Sequence, residues 1–303
     1  MNDLLNPIFI DEEKAREHLE ALRWSKSRVC PHCGECENTS PTASKNHKPG
    51  LYYCNSCEKT FTVTVGTLFE RSHIPLNKWL MAFHLMASSK KGISSHQLHR
   101  TIGVTYKTAW FMAHRIREAM DTGFTGPLGS TGSPVEVDET YWGNQGKQAK
   151  GARGFAHKMK VVSLVERNGQ KRSFHVANVT AKTVTPILRK QVAKNARLMT
   201  DETRVYNKVG KEFASHEKVN HSAGEYSRGD VTTNTAESSF AILKRGLYGI
   251  FHHVSEQHLQ RYATEFDFKW NHRSKLGFSD ADRATVALKN IGGKRLMYRR
   301  IDS

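Results

Sequence analysis

Three acidic segments constrain this chain more than any other feature. They are VEVDETY at 135–141, ARLMTDETRVY at 196–206 and TTNTAESSFAILKRG at 232–246. The first two read as short apolar strands with Asp138 and Asp201 at their ends. The third places Glu237 at the start of a helical pattern. Lys244 follows seven residues on, about two helical turns, so it shares a face with Glu237. Carboxylates this far apart in sequence meet only if the fold brings them together. Two strand-borne aspartates and a helix-borne glutamate can hold a pair of divalent ions, Mg2+ or Mn2+, about 4 Å apart. Such a pair activates water or a 3′-hydroxyl and stabilises the leaving oxygen in phosphodiester chemistry. Glu136 points with Asp138 by alternation and is the weaker alternative ligand. Glu139 and Glu202 each follow an aspartate directly, so they are expected on the opposite face.

The segments between these acids set the fold class. KMKVVSLVERNGQKRSFHVANV at 158–179 reads as a β-hairpin around Asn168–Gly169, with Val161, Val162, Leu164, Phe174 and Val176 as its core. Thr183–Ala193 reads as a helix, 207–231 as a polar loop, and a helix follows from about Thr235. Strand, hairpin, helix, strand, helix is the order expected of an RNase H-like α/β domain, its first strand central. GNQGKQAKGARGFAHK at 143–158 reads as a basic loop. Past the third acid, 252–273 reads as a helix with Leu259, Tyr262, Phe266 and Trp270 toward a core.

A second kind of site precedes this domain. Cys30 and Cys33 form one C-x-x-C pair and Cys54 and Cys57 another, about twenty residues later. That spacing suits a structural zinc site of four thiolates in a zinc ribbon, closed to catalysis. Cys33 and Cys36 also form a C-x-x-C pair, so the first register stays open, as does replacement of a cysteine by His32 or His47. Next come Ser94–Ile102, a Gly103–Val104 turn and Thr105–Met120, the pattern of a helix-turn-helix. The second helix carries Lys107, His114, Arg115 and Arg117, and its first residues are those that enter a major groove. Lys107, Arg115, Lys244 and Arg245 are the expected contacts to DNA.

The balance of 46 Lys+Arg against 29 Asp+Glu gives a formal charge of +17. A surplus of that size is a statement about partners, and double-stranded DNA is the partner it fits. No apolar run approaches the ~20 residues of a membrane span, and no secretory signal opens the chain. The expected place is therefore the cytoplasm, in association with the nucleoid. The expected divisions are a helix and zinc ribbon at 1–67, a helix-turn-helix region at 68–122 and a Gly/Pro/Ser-rich linker at 123–134. An α/β catalytic domain follows at 135–280 and a basic tail at 281–303.

At CPHCG, YYCNSC, TFTVTVGTLFE, VEVDETYWGN, TNTAESSFAILKRGLYGIFHHVS and QHLQRYATEFDFKWNHR, the chain resembles prokaryotic insertion-sequence transposases of the DDE type. The resemblance is to the subgroup with an N-terminal zinc ribbon and covers nearly the whole length. It implies Asp138, Asp201 and Glu237 as the metal-binding triad and Lys244 as the accompanying lysine. The 35 residues between Asp201 and Glu237 fit that family's spacing. Some relatives carry asparagine as the third residue, which keeps Asn234, one turn before Glu237, in view. The resemblance further implies binding of terminal repeats, cleavage at the element's ends and joining of 3′-hydroxyls to target DNA by a homodimer or larger synaptic complex. Two rivals carry the same acids: a nuclease of the same fold that cuts without joining, and a DNA-binding regulator descended from a transposase.

Overall fold

The structure, a computed structural model, describes residues 4–42, 49–123, 126–143 and 155–296. His47, most of the basic loop at 143–158 and the end of the basic segment lie outside the described residues. The chain forms two compact units, one of residues 1–122 with 277–303 and one of residues 123–276.

The first unit begins with a 3-10 turn at Pro7–Phe9 and helix α1 (Glu12–Arg23). Asp11 caps α1 by accepting from the Glu13 and Lys14 amides, and the helix buries Ala15 and Leu19. Trp24, at its end, packs edge-on against Tyr52 and Phe61. Those rings belong to a three-stranded antiparallel sheet of β1 (Thr39–Pro41), β2 (Tyr52–Cys54) and β3 (Lys59–Phe61). Helices α2 (Leu76–Ser88), α3 (Ser95–Ile102) and α4 (Tyr106–Met120) follow. Ser94 and Thr105 cap α3 and α4, and Gly103 ends α3 at φ 63°, in the left-handed region that glycine tolerates.

The second unit is a mixed five-stranded sheet clothed by helices. Its strands are β4 (Val135–Trp142), β5 (Met159–Glu166), β6 (Lys171–Val176), β7 (Arg197–Thr200) and β8 (Ser215–Lys218). The order is β6-β5-β4-β7-β8, with β4 antiparallel to β5 and parallel to β7, and β7 parallel to β8. This is the RNase H-like arrangement, with the first strand central. Helices α5 (Ala181–Gln191) and α6 (Asn207–Gly210) contribute Val184, Leu188 and Val209 to one cluster with Val135, Val137, Val162, Leu164 and Leu198. Helices α7 (Asn234–Gly246) and α8 (Glu256–Asn271) form a second cluster with Trp142, Met159 and Val161. Alternation along β4 and β5 therefore feeds two cores, one on each sheet face.

Helix α8 also closes the outer edge of β6. Gln260, Asp267 and Asn271 exchange hydrogen bonds with the backbone of Lys171, Ser173 and His175. These side chains stand where another strand would pair, which protects the edge.

Three expectations are corrected here. The segment expected as a linker is tied to the sheet unit from Gly126 on: Leu128 is buried, and its amide and carbonyl bond Gln191 and Ala193. A Cβ on Gly129 would fall 2.5 Å from that of Ala196, and its φ of 72° is left-handed, so glycine here serves both a tight turn and close packing. The segment set apart as a basic tail begins with a helix, α9 (Asp280–Lys289), opened by a Ser279–Asp282 capping box. It buries Arg283, Ala284, Ala287 and Leu288, and Arg283 donates to the Ala87 carbonyl of α2. Its small apolar stripe was hidden by the surrounding charge. The loop read at 207–231 contains β8, whose residues are all half-buried and lack an apolar alternation.

Candidate active site

The four cysteines converge at one point of the small sheet. All four sulfurs lie within 4.8 Å of one another. Sγ separations are 3.7 Å for Cys30–Cys57 and 3.6 Å for Cys33–Cys54. Tetrahedral zinc with sulfur at about 2.3 Å requires sulfurs about 3.8 Å apart, so the residues fit that ion. Cys36 is exposed and outside the group, and His32 faces the Thr60 carbonyl. Glu35 joins the two knuckles, accepting from the Cys36 and Glu37 amides and from the Ser56 hydroxyl. Burial opposes ionisation of Cys30, yet the amides of His32 and Cys33 and the thiols of Cys33 and Cys54 together outweigh it and bring that thiol down to about 7. Burial and the three neighbouring sulfurs push Cys57 up to about 12. Ionising all four together calls for a cation among them.

The carboxylates assemble through topology. Asp138 is not at a strand end, as expected, because β4 continues to Trp142 in register with β5. What ends there is the ladder with β7, which pairs Val135 with Leu198 and Glu136 with Met199 and then stops. Continued by two residues, the same register would bring Asp138 level with Asp201, the residue just after β7. Adjacent strands lie about 4.8 Å apart, which sets these aspartates side by side. Asp201 is held by the amide and hydroxyl of Thr203 at 3.0 and 2.7 Å. Glu237 stands in the first turn of α7, half exposed, accepting from the Thr233 hydroxyl at 3.3 Å.

The electrostatics record this convergence. Burial raises Asp138 to about 7 against the Glu139 amide, and Glu139, Asp201 and Glu237 push it in the same direction as burial. The Glu139 carboxyl is raised by burial and by Asp201, while Tyr206, donating at 2.6 Å, opposes the rise. Glu139 was expected to stand apart from the site. Alternation does turn it from Asp138, but no β7 partner flanks this stretch of β4, so its charge reaches both aspartates. Glu202 turns elsewhere. It accepts from the amides of His221 and Ser222 and from the Ser222 hydroxyl, which lowers its carboxyl to about 2.

The acids sit further apart than the thiols: no three carboxylates among the described residues come within 4.8 Å of one another. An octahedral ion that keeps several waters tolerates that spacing. The burial and the neighbouring carboxylates that together raise Asp138 are what a divalent cation would offset. Lys244 and Arg245 lie in the last turn of α7, the first half-buried and the second exposed. Sequence reasoning missed His221, whose Nε2 lies 3.6 Å from Glu237 and 3.3 Å from the Thr233 hydroxyl. A lone histidine in a polar loop carries no directional signal.

On α4, Lys107 is exposed at the second position, beside exposed Tyr106, which stacks on His96 at 4.3 Å. Arg115 is turned inward instead. It donates to the carbonyls of Leu68 and Leu296 and lies over the Phe111 ring, which is at odds with the expected DNA contact. His114 and Arg117 are buried.

Comparison with known proteins finds a family match for each of the two regions that carry these residues. Residues 10–60 match the transposase zinc-ribbon domain, and residues 130–271 match the ISXO2-like transposase domain. A Halobacterium salinarum protein, described as an uncharacterized protein in transposable element ISH50, is 28% identical over 277 residues, covering 86% of this chain and 91% of its own. With its zinc ribbon and its RNase H-like unit both matched and in this order, the chain belongs to the insertion-sequence transposases that carry a zinc ribbon before an ISXO2-like DDE domain.

Proposed function

We propose that this transposase binds the ends of its element and cuts and joins DNA there, with Asp138, Asp201 and Glu237 holding Mg2+ or Mn2+. The observation that carries the reading is the place of Asp138 on β4 and of Asp201 just after the neighbouring parallel strand β7, with Asp201 and Glu237 both acting on Asp138. When bound, the ions supply Lewis-acid stabilisation and an activated oxygen for in-line displacement at phosphorus. Asp138, half-buried and flanked by acids, would give up its proton as metal binds. Lys244 and Arg245 hold backbone phosphate near Glu237, and Lys107 meets DNA at the start of α4. The four cysteines hold zinc as a structural ion. The charge of +17 favours the polyanion over the whole surface. Joining two DNA ends requires at least two copies of the site, hence a homodimer or larger assembly, working in the nucleoid of the cytoplasm.

The test is strand cleavage and joining on a labelled duplex that carries the element's ends, with and without Mg2+. Joined products from wild type alone, and only with metal, are expected when compared with Asp138→Asn. Cleavage without joining would leave a nuclease. Tight end binding without chemistry, indifferent to the substitution, would leave a DNA-binding regulator.

A further inference from the structure

We infer that Glu136 is a positioning residue of the reaction: its buried carboxylate fixes the catalytic helix α7 to the catalytic strand β4 and so sets the distance from Asp138 to Glu237. The inference rests on the reading of these acids as the metal site. Glu136 lies two residues before Asp138 on the same strand face, and its side chain is 0% exposed. One carboxylate oxygen accepts from the amides of Thr235 and Ala236 at 2.8 and 3.0 Å. The other accepts from the Thr235 hydroxyl at 2.8 Å and from Arg167 Nε at 2.7 Å. Both oxygens are thus committed, which removes Glu136 as the alternative ligand.

These bonds replace a local device. The first amides of a helix have no partner within it, and the N-cap side chain commonly supplies one. Thr233, the N-cap of α7, makes no such bond, and its hydroxyl goes to Glu237 instead. The Asn234 amide is capped locally by the Thr232 hydroxyl at 3.1 Å, but the next two amides are capped from another element, so the helix cannot shift along the sheet without breaking those bonds. The capped amides end one residue before Glu237, and Glu136 sits two residues before Asp138. Arg167, in the turn between β5 and β6, neutralises the buried charge and donates to the Thr232 carbonyl at 3.2 Å, holding the approach to α7 as well. A buried carboxylate is costly unless paired and fully hydrogen-bonded, and an apolar pair fills such space more cheaply. What the apolar pair lacks is direction.

The experiment uses the full-length protein with Glu136→Gln, Arg167→Gln and Asp138→Asn. Glutamine keeps the shape but loses the charge and one acceptor. Mn2+ affinity is read by calorimetry, element-end binding is read without added Mg2+ or Mn2+, and folding is read by near-UV circular dichroism and zinc content. Glu136→Gln should weaken Mn2+ binding about ten- to hundredfold, the scale of partners that orient metal ligands, with end binding unchanged. Arg167→Gln should shift it the same way by less. If Glu136→Gln does not fold, Thr235→Ala removes a single donor and should still weaken Mn2+ binding a few-fold. Wild-type Mn2+ affinity in the folded variants overturns the inference, as does parallel loss of end binding, which marks a general stability residue. Unchanged Mn2+ affinity in Asp138→Asn overturns the reading of the acids themselves, and the inference with it.

Discussion

The thiolate cluster and the carboxylate cluster both gather ionisable groups at one point, but they are built in opposite ways. The thiols come from two short motifs whose knuckles place sulfurs 3.6–3.7 Å apart. The acids come from a strand, the end of a neighbouring strand and a helix, and they meet only after the sheet has formed. A closed structural site can be written into local sequence. A catalytic site that must stay open and partly strained is held by the whole domain.

That contrast can be broken at either site, and the largest effect should come from the thiols. Apparent zinc-binding energies in small zinc domains run to about 10–16 kcal/mol, and they are folding energies. Cys54→Ser should therefore abolish zinc binding, measured by elemental analysis, and open residues 30–61 to trypsin. A protease-resistant variant without zinc would show that the ribbon stands on its aromatic cluster alone. At the acids, Asp138→Asn should cut strand cleavage by more than the ~100-fold ascribed to an outer partner, while zinc content stays normal. Loss of zinc together with activity would mean the change had unfolded the chain.

The third effect is on stability. Asp138 titrates at about 7 when folded, against roughly 3.9 for an unfolded aspartate. Between those values the native metal-free protein binds more protons than the unfolded chain. The contribution of Asp138 is therefore full below about pH 4 and is lost as pH rises through about 7. Asp138→Asn should melt higher than wild type at pH 8 without added Mg2+ or Mn2+, by about 2–4 °C for each kcal/mol relieved. An equal or lower melting temperature would remove the claim of strain. The smallest effect has the opposite slope. Glu202 is lowered to about 2 by the Ser222 hydroxyl and nearby amides, so its contribution is present above the unfolded value of ~4.3 and fades as pH falls through about 2. Glu202→Gln should lower the melting temperature slightly at pH 7, with the difference closing toward pH 2. A difference that persisted at pH 2 would show another cause.

The same contrast explains what the sequence revealed. The C-x-x-C pairs, the Gly103 turn and the Asn168–Gly169 hairpin are local signals, and each element stands where its residues put it. The apolar strands β4, β5 and β7 were equally plain. Strand β8 was not, because an edge strand of SHEK carries no alternation. Helix α9 was marked by the Ser279–Asp282 box, but charge around it drew the reading toward a tail. Arg115 read as a DNA contact because sequence cannot say which side of a helix meets carbonyls from distant segments. Glu136 shows the limit most clearly. Alternation put it beside Asp138, yet only the fold could bring it the amides of Thr235 and Ala236.

The central claim is that Asp138, Asp201 and Glu237 form one metal-binding site. Anomalous diffraction from crystals of the protein with element-end DNA and Mn2+ tests it most directly. The account predicts manganese peaks bounded by Asp138, Asp201 and Glu237, and their disappearance in Asp138→Asn. Manganese bound elsewhere, with these three carboxylates uninvolved, would contradict it.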